Sequence, residues 1–127
     1  MAPVGRWLSR TEVGSYDLVP AAVARRARLH RVRILPPGSS GMTVGHQVLL
    51  RRGHEGDRKL IAHELVHVAQ YADRGRIRFL TRYLVDYGRN LVRLRNHRQA
   101  YLAIPAEVAA RAETADWLRA HPEVVGA

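Results

Sequence analysis

The chain has no cysteine, which excludes a disulfide scaffold and any thiolate-held metal, so a metal site here must be built from His, Asp or Glu. Aromatic residues make up only 6% of its 127 residues, too few to suggest the base-stacking platforms of single-strand binders. No apolar run approaches the roughly 18 residues of a membrane span, so none is expected. The first ten residues hold no apolar stretch followed by a small-residue cleavage site. No signal peptide is evident, and the expected location is the cytoplasm or an export route that needs no such signal. Lysine is nearly absent as well: of 21 basic residues, all but Lys59 are arginine.

The 21 basic residues face 11 acidic ones, a net charge of +10. That excess sets a field of one sign around a small body and predicts weak, salt-sensitive polyanion binding, or else a well-solvated surface. With 46% hydrophobic residues and this length, residues 20–127 are read as a single domain, preceded by a poorly ordered lead-in over 1–19. Trp7 and Leu8 are its candidates for packing on the body.

Periodicity places the elements. Pro20 suits the first turn of a short helix through Arg28. Residues 29–35 alternate in the strand period, with Val32 and Ile34 on one face and Arg31 and Arg33 on the other, until the Pro36 to Gly41 turn cluster. A second strand is expected over 42–51. Asp57 then caps a helix over 58–74, whose Leu60, Ile61, Leu65, Val68 and Ala72 recur at helical spacing, and Gly75 ends it. A second helix over 77–96 is expected to turn Leu80, Leu84, Val85, Leu91, Val92 and Leu94 inward, with a kink or break at Gly88. Pro105 opens a third, over 105–120. The class is α+β, with two or three strands packed on the first of the three main helices.

Within that helix stands His63-Glu64-Leu65-Val66-His67, an instance of H-E-x-x-H. Positions four apart lie ~40° apart on the helical wheel and one turn along the axis, so both imidazoles can converge on one ion. Zinc suits two imidazoles and a carboxylate, with the fourth position left for water. Glu64 lies beside the ligand face, placed to act as general base toward that water.

The third ligand has two main candidates. Asp73 stands ten residues after His63, but Gln70 occupies the position where a glycine would let the chain turn back. A continuing helix would carry Asp73 ~240° around the wheel from His67. Glu107, third in the helix opened by Pro105, can reach the site from a second helix packed against the first and is preferred, with Asp73, Asp86, His97 and Glu113 as rivals. Tyr101 is the favoured donor to a substrate oxyanion, ahead of Tyr71, Tyr83 and Tyr87. The strand before the metal helix offers an edge to an extended peptide.

The runs Thr43-Val44-Gly45-His46-Gln47-Val48-Leu49-Leu50 and Leu60-Ile61-Ala62-His63-Glu64-Leu65-Val66-His67-Val68-Ala69-Gln70 resemble the zinc metallopeptidase domain associated with bacterial extracellular contractile injection systems. The segment Tyr101-Leu102-Ala103-Ile104-Pro105-Ala106-Glu107-Val108-Ala109-Ala110 is similar to the one in which glutamate-zincins carry their third ligand. This resemblance, spanning about residues 42 to 112, implies a minimal zincin fold, Zn2+ as cofactor and a protein or peptide substrate. Two other readings stay open. One is a basic, nucleic-acid-associated protein using Arg76, Arg78, Arg82, Arg89, Arg93, Arg95 and Arg98, the first five of which are the expected polyanion contacts; the other is a zinc-bound interaction module without turnover.

Overall fold

The computed structural model describes residues 5–125. Its elements are β1 (Arg6–Trp7), α1 (Arg10–Ser15), α2 (Ala21–Arg26), β2 (Arg28–Val32), β3 (Gly41–Val44), β4 (Gln47–Arg51), α3 (Arg58–Arg74), α4 (Arg76–Leu94), α5 (His97–Leu102), α6 (Pro105–Ala120) and α7 (Pro122–Val125). The class is α+β, with a sheet of four strands in the order β1-β2-β4-β3.

Four strands stand where two or three were expected. The run 42–51 is a hairpin: Gly45, at φ +64°, turns the chain, and β3 pairs antiparallel with β4, Thr43 opposite Val48. A side chain at Gly45 would also crowd the Arg76 guanidinium, 3.3 Å from an added Cβ. β2 is shorter than its alternation suggested. It runs parallel to β4 only as far as Val32 opposite Arg51, where β4 itself ends, so Ile34 has no strand to join and is exposed.

Residues read as a lead-in are built into the fold from Arg6 onward, whereas residues 1–4 lie outside the described residues. Ser9 and Glu12 form a reciprocal capping box that starts α1, and Arg6 grips the Glu12 carboxylate at 2.8 and 2.9 Å. Leu8 and Tyr16 are buried, as is Val19, while Trp7 stays exposed beneath the Arg28 guanidinium. Tyr16 stacks on Trp117 of α6 at 5.3 Å, and the Trp117 indole donates to the Ser15 carbonyl at 2.9 Å. The core thus joins Tyr16, Ala24, Leu29, Val48 and Leu50 to Ile61, Leu65 and Val66 of α3 and to Trp117.

Helix α3 starts where Asp57 accepts a hydrogen bond from the Leu60 amide, and it runs unbroken through Gln70 to Arg74. Helix α4 also runs unbroken, since Gly88 neither kinks nor ends it. Its apolar residues are not inward. Only Phe79 is buried, whereas Leu80, Leu84, Val85, Leu91 and Val92 are exposed and Leu94 is half-buried. α4 packs on the body through a neighbouring sector of the wheel, where Asn90 donates to the Ala100 carbonyl and Tyr87 meets His97. Among the described residues no helix is long and apolar enough to cross a membrane.

Candidate metal centre

Two helices build the site. His63 and His67 leave α3 one turn apart, their ring centroids 5.0 Å from each other and their planes at 75°. α6 opens with Ile104 fully buried and Pro105 at the first turn, which fixes Glu107 in that turn facing α3. Glu107 Oε1 lies 3.0 Å from His63 Nε2 and 3.1 Å from His67 Nε2. The three residues are the one His, Asp or Glu cluster among the described residues with candidate ligand atoms all within 4.8 Å of one another.

Donors ~2.0 to 2.1 Å from a tetrahedral zinc stand roughly 3.3 Å apart, so the observed separations are close to those of a ligated set. The hydrogen bonding carries the same implication. Gln70 Nε2 donates to the Ala106 carbonyl at 3.0 Å, which turns Gln70 Oε1 toward His67 Nδ1 at 2.8 Å and makes Nδ1 the protonated nitrogen. A neutral His67 then aims a lone pair from Nε2 at a carboxylate oxygen. Two lone pairs repel unless a cation lies between them or the ring itself carries the charge. Burial, the largest single effect, works against a charged His67, yet the hydrogen bond and charge of Glu107, with Glu64 and Gln70, together outweigh it and raise the pKa of the ring. The donor set therefore fits a divalent zinc-like ion, with Gln70 setting the tautomer from behind.

Glu107 is itself held. Its Oε2 accepts a 2.6 Å hydrogen bond from the Tyr83 hydroxyl of α4. Burial disfavours its charge, but the His63 and His67 hydrogen bonds prevail and keep the carboxyl well below the usual range. Glu64 faces the opposite balance. It is buried, and desolvation raises its pKa against the partial relief of His67, His63 and Thr43. Thr43 Oγ1 donates to Glu64 Oε1 at 2.8 Å, and a Cβ at Gly41 would press on the Glu64 Cγ at 3.3 Å. The edge strand β3 thereby fixes the carboxylate.

Glu64, His67 and Glu107 line a cavity of about 210 Å3, with Leu80, Tyr83 and Tyr101 on its walls. Tyr101 is brought to the cavity, and burial holds its phenol protonated well above the ordinary range. The rival ligands lie elsewhere. Asp73 is exposed near the end of α3, Asp86 pairs with Arg82 at 3.2 Å, His97 meets Tyr87, and Glu113 is exposed. Sequence reasoning missed Thr43 and Gln70 and ranked Tyr83 below Tyr101. Gln70 follows His67 by three residues, so helical spacing alone could have found it; nothing in the sequence marks Tyr83 or Thr43.

No curated protein and no solved structure matches the chain. The segment that carries Thr43, Glu64, Gln70 and both histidines does have a match, which stops short of Tyr83, Tyr101 and Glu107: residues 27–75, from β2 through α3, match the family model of the eCIS core domain, and this supports an association with extracellular contractile injection systems.

Proposed function

We propose that the chain is a zinc-dependent peptidase, with His63, His67 and Glu107 as metal ligands and Glu64 as general base. The convergence of two imidazoles and a carboxylate beside a second, buried carboxylate carries the reading. Zinc in that position would supply Lewis acidity toward a carbonyl and acidity to a water.

Thr43 occupies Oε1 of Glu64, and among the described residues no donor engages Oε2, which is free to take a proton from the attacking water. A carboxylate whose pKa is raised is a better acceptor than an ordinary one. As the water oxygen bonds to the peptide carbon and the carbon–nitrogen bond breaks, Glu64 passes the proton to the leaving amine. Tyr101, kept protonated, donates a hydrogen bond to the carbonyl oxygen from the cavity wall. The substrate is an extended segment of a protein or peptide, and the association with injection systems favours a partner within a multi-protein assembly.

The test is zinc content together with cleavage of an unfolded protein. His63→Ala and His67→Ala should each lose the metal. Glu64→Gln should keep it and lose ~10²- to 10⁴-fold in turnover. Full zinc occupancy in both histidine variants would refute the site. Zinc retained with no turnover by the parent on a broad substrate set would favour the interaction module.

A further inference from the structure

Helix α4 leaves an apolar face uncovered. Ile77 is 80% exposed and Val92 78%, and Leu84 and Val85 between them are also exposed. At ~100° per residue these four span about 100° of the helical wheel. Arg78, Arg82, Arg89 and Arg93 fill the adjoining ~60°, and all four are exposed. Among the described residues only Arg82 of this row has a carboxylate partner, Asp86. The stripe runs sixteen residues from Ile77 to Val92, about 22 Å along the axis.

Three occupants can be weighed. A second copy would press together two chains of net charge +10, with the arginine rows side by side in an antiparallel pair. A soluble acidic helix would match the charge, but of the four apolar side chains only Leu84 borders a cavity, and Ile77, Val85 and Val92 line neither cavity that could seat a partner's side chains. A planar phase that is apolar beneath and anionic at its surface meets both requirements, since the side chains enter the acyl boundary while the long arginines reach back to phosphates.

We infer that α4 is an interfacial helix that docks the protein on an anionic phospholipid bilayer, Ile77, Leu84, Val85 and Val92 entering the acyl boundary and Arg78, Arg89 and Arg93 binding headgroup phosphates. The inference is independent of zinc and of turnover. Leu84 also lines the metal-site cavity, so docking would hold that cavity beside the membrane surface.

Cosedimentation of the full chain tests it, using vesicles of phosphatidylcholine alone and vesicles of phosphatidylcholine with phosphatidylglycerol in roughly a 2:1 ratio. The protein should pellet with the anionic vesicles only, and less so as salt rises. The double variant Ile77→Ser/Val92→Ser keeps every charge and avoids the cavity lining; it should bind ~10-fold or more weakly with an unchanged circular dichroism spectrum. Arg78→Gln/Arg89→Gln/Arg93→Gln should lose binding to a similar degree, and decides the matter if the first variant misfolds. Failure of the parent to bind anionic vesicles would overturn the proposal. So would full binding by either variant, because plain polyanion attraction ignores Ile77 and insertion alone ignores arginine. A concentration-dependent dimer abolished by Ile77→Ser/Val92→Ser would assign the face to a second copy. Displacement from vesicles by a soluble acidic peptide that needs the same two residues would assign it to a protein.

Discussion

The Tyr83 hydroxyl donates to Glu107 Oε2 at 2.6 Å, while Glu107 Oε1 faces both histidines. One oxygen of the carboxylate is thus committed to α4 and the other to the histidine pair. Such a donor behind a ligating carboxylate fixes the direction of its free lone pairs. Tyr83→Phe should weaken zinc affinity by ~10-fold while leaving the fold intact, as the ring itself still packs on Phe79 at 5.9 Å. Competition titration against a chromophoric chelator measures this. Unchanged affinity would mean that Glu107 is oriented by α6 alone.

Gln70 should matter for a different reason. Its amide ties His67 Nδ1 to the carbonyl of Ala106, the residue before Glu107, so one side chain orients the His67 ring and links α3 to the first turn of α6. Gln70→Ala frees the ring to place its proton on Nε2, the atom needed for the metal. Zinc affinity should fall ~10- to 100-fold. Nitrogen-15 shifts of the metal-free His67 ring, read at a pH above its raised pKa so that the ring is neutral, should change from an Nδ1-protonated pattern to a tautomer mixture. An unchanged pattern would show that something else holds the ring.

Much of this site was legible because it obeys helical spacing. The His63 and His67 pair, Glu64 beside them and the unbroken course of α3 past Gln70 all follow from 3.6 residues per turn with no glycine to stop it. Glu107 was legible from Pro105, which opens a helix and places the third residue in its first turn. Helix α4 was misread, because an apolar stripe reports which face is apolar and not whether anything covers it. The same error hid Tyr83, which sits in the sector that does pack. The Gly45-His46 turn lacks an Asn-Gly or Asp-Gly signal, so β3 and β4 read as one strand. The start of α1 was within reach: Ser9 followed by Glu12 is a capping box, passed over because the helix behind it is only six residues long.

That same capping box supplies a prediction for acid stability. Hydrogen bonding from Arg6, the largest effect, together with the Ser9 contacts, lowers the Glu12 pKa from 4.5 to about 2. A carboxyl whose folded pKa is depressed adds stability that is fully present above its unfolded value. That stability is lost as pH falls through the folded value, here the window from 4.5 down to about 2. Arg6 is half exposed, so solvent screening limits the contribution to about 1 kcal/mol or less. Glu12→Gln keeps the side chain's length and a carbonyl to accept from Ser9 but removes the charge. Urea melts of parent and variant at steps between about pH 6 and pH 2 should show the parent more stable at the upper end, and the two curves converging as pH falls. Other carboxylates titrate in both proteins and cancel in the difference. A gap that stays constant down to the lowest pH would mean that the Arg6 and Glu12 charges contribute nothing, and that β1 and α1 are held through Leu8 and Tyr16 alone.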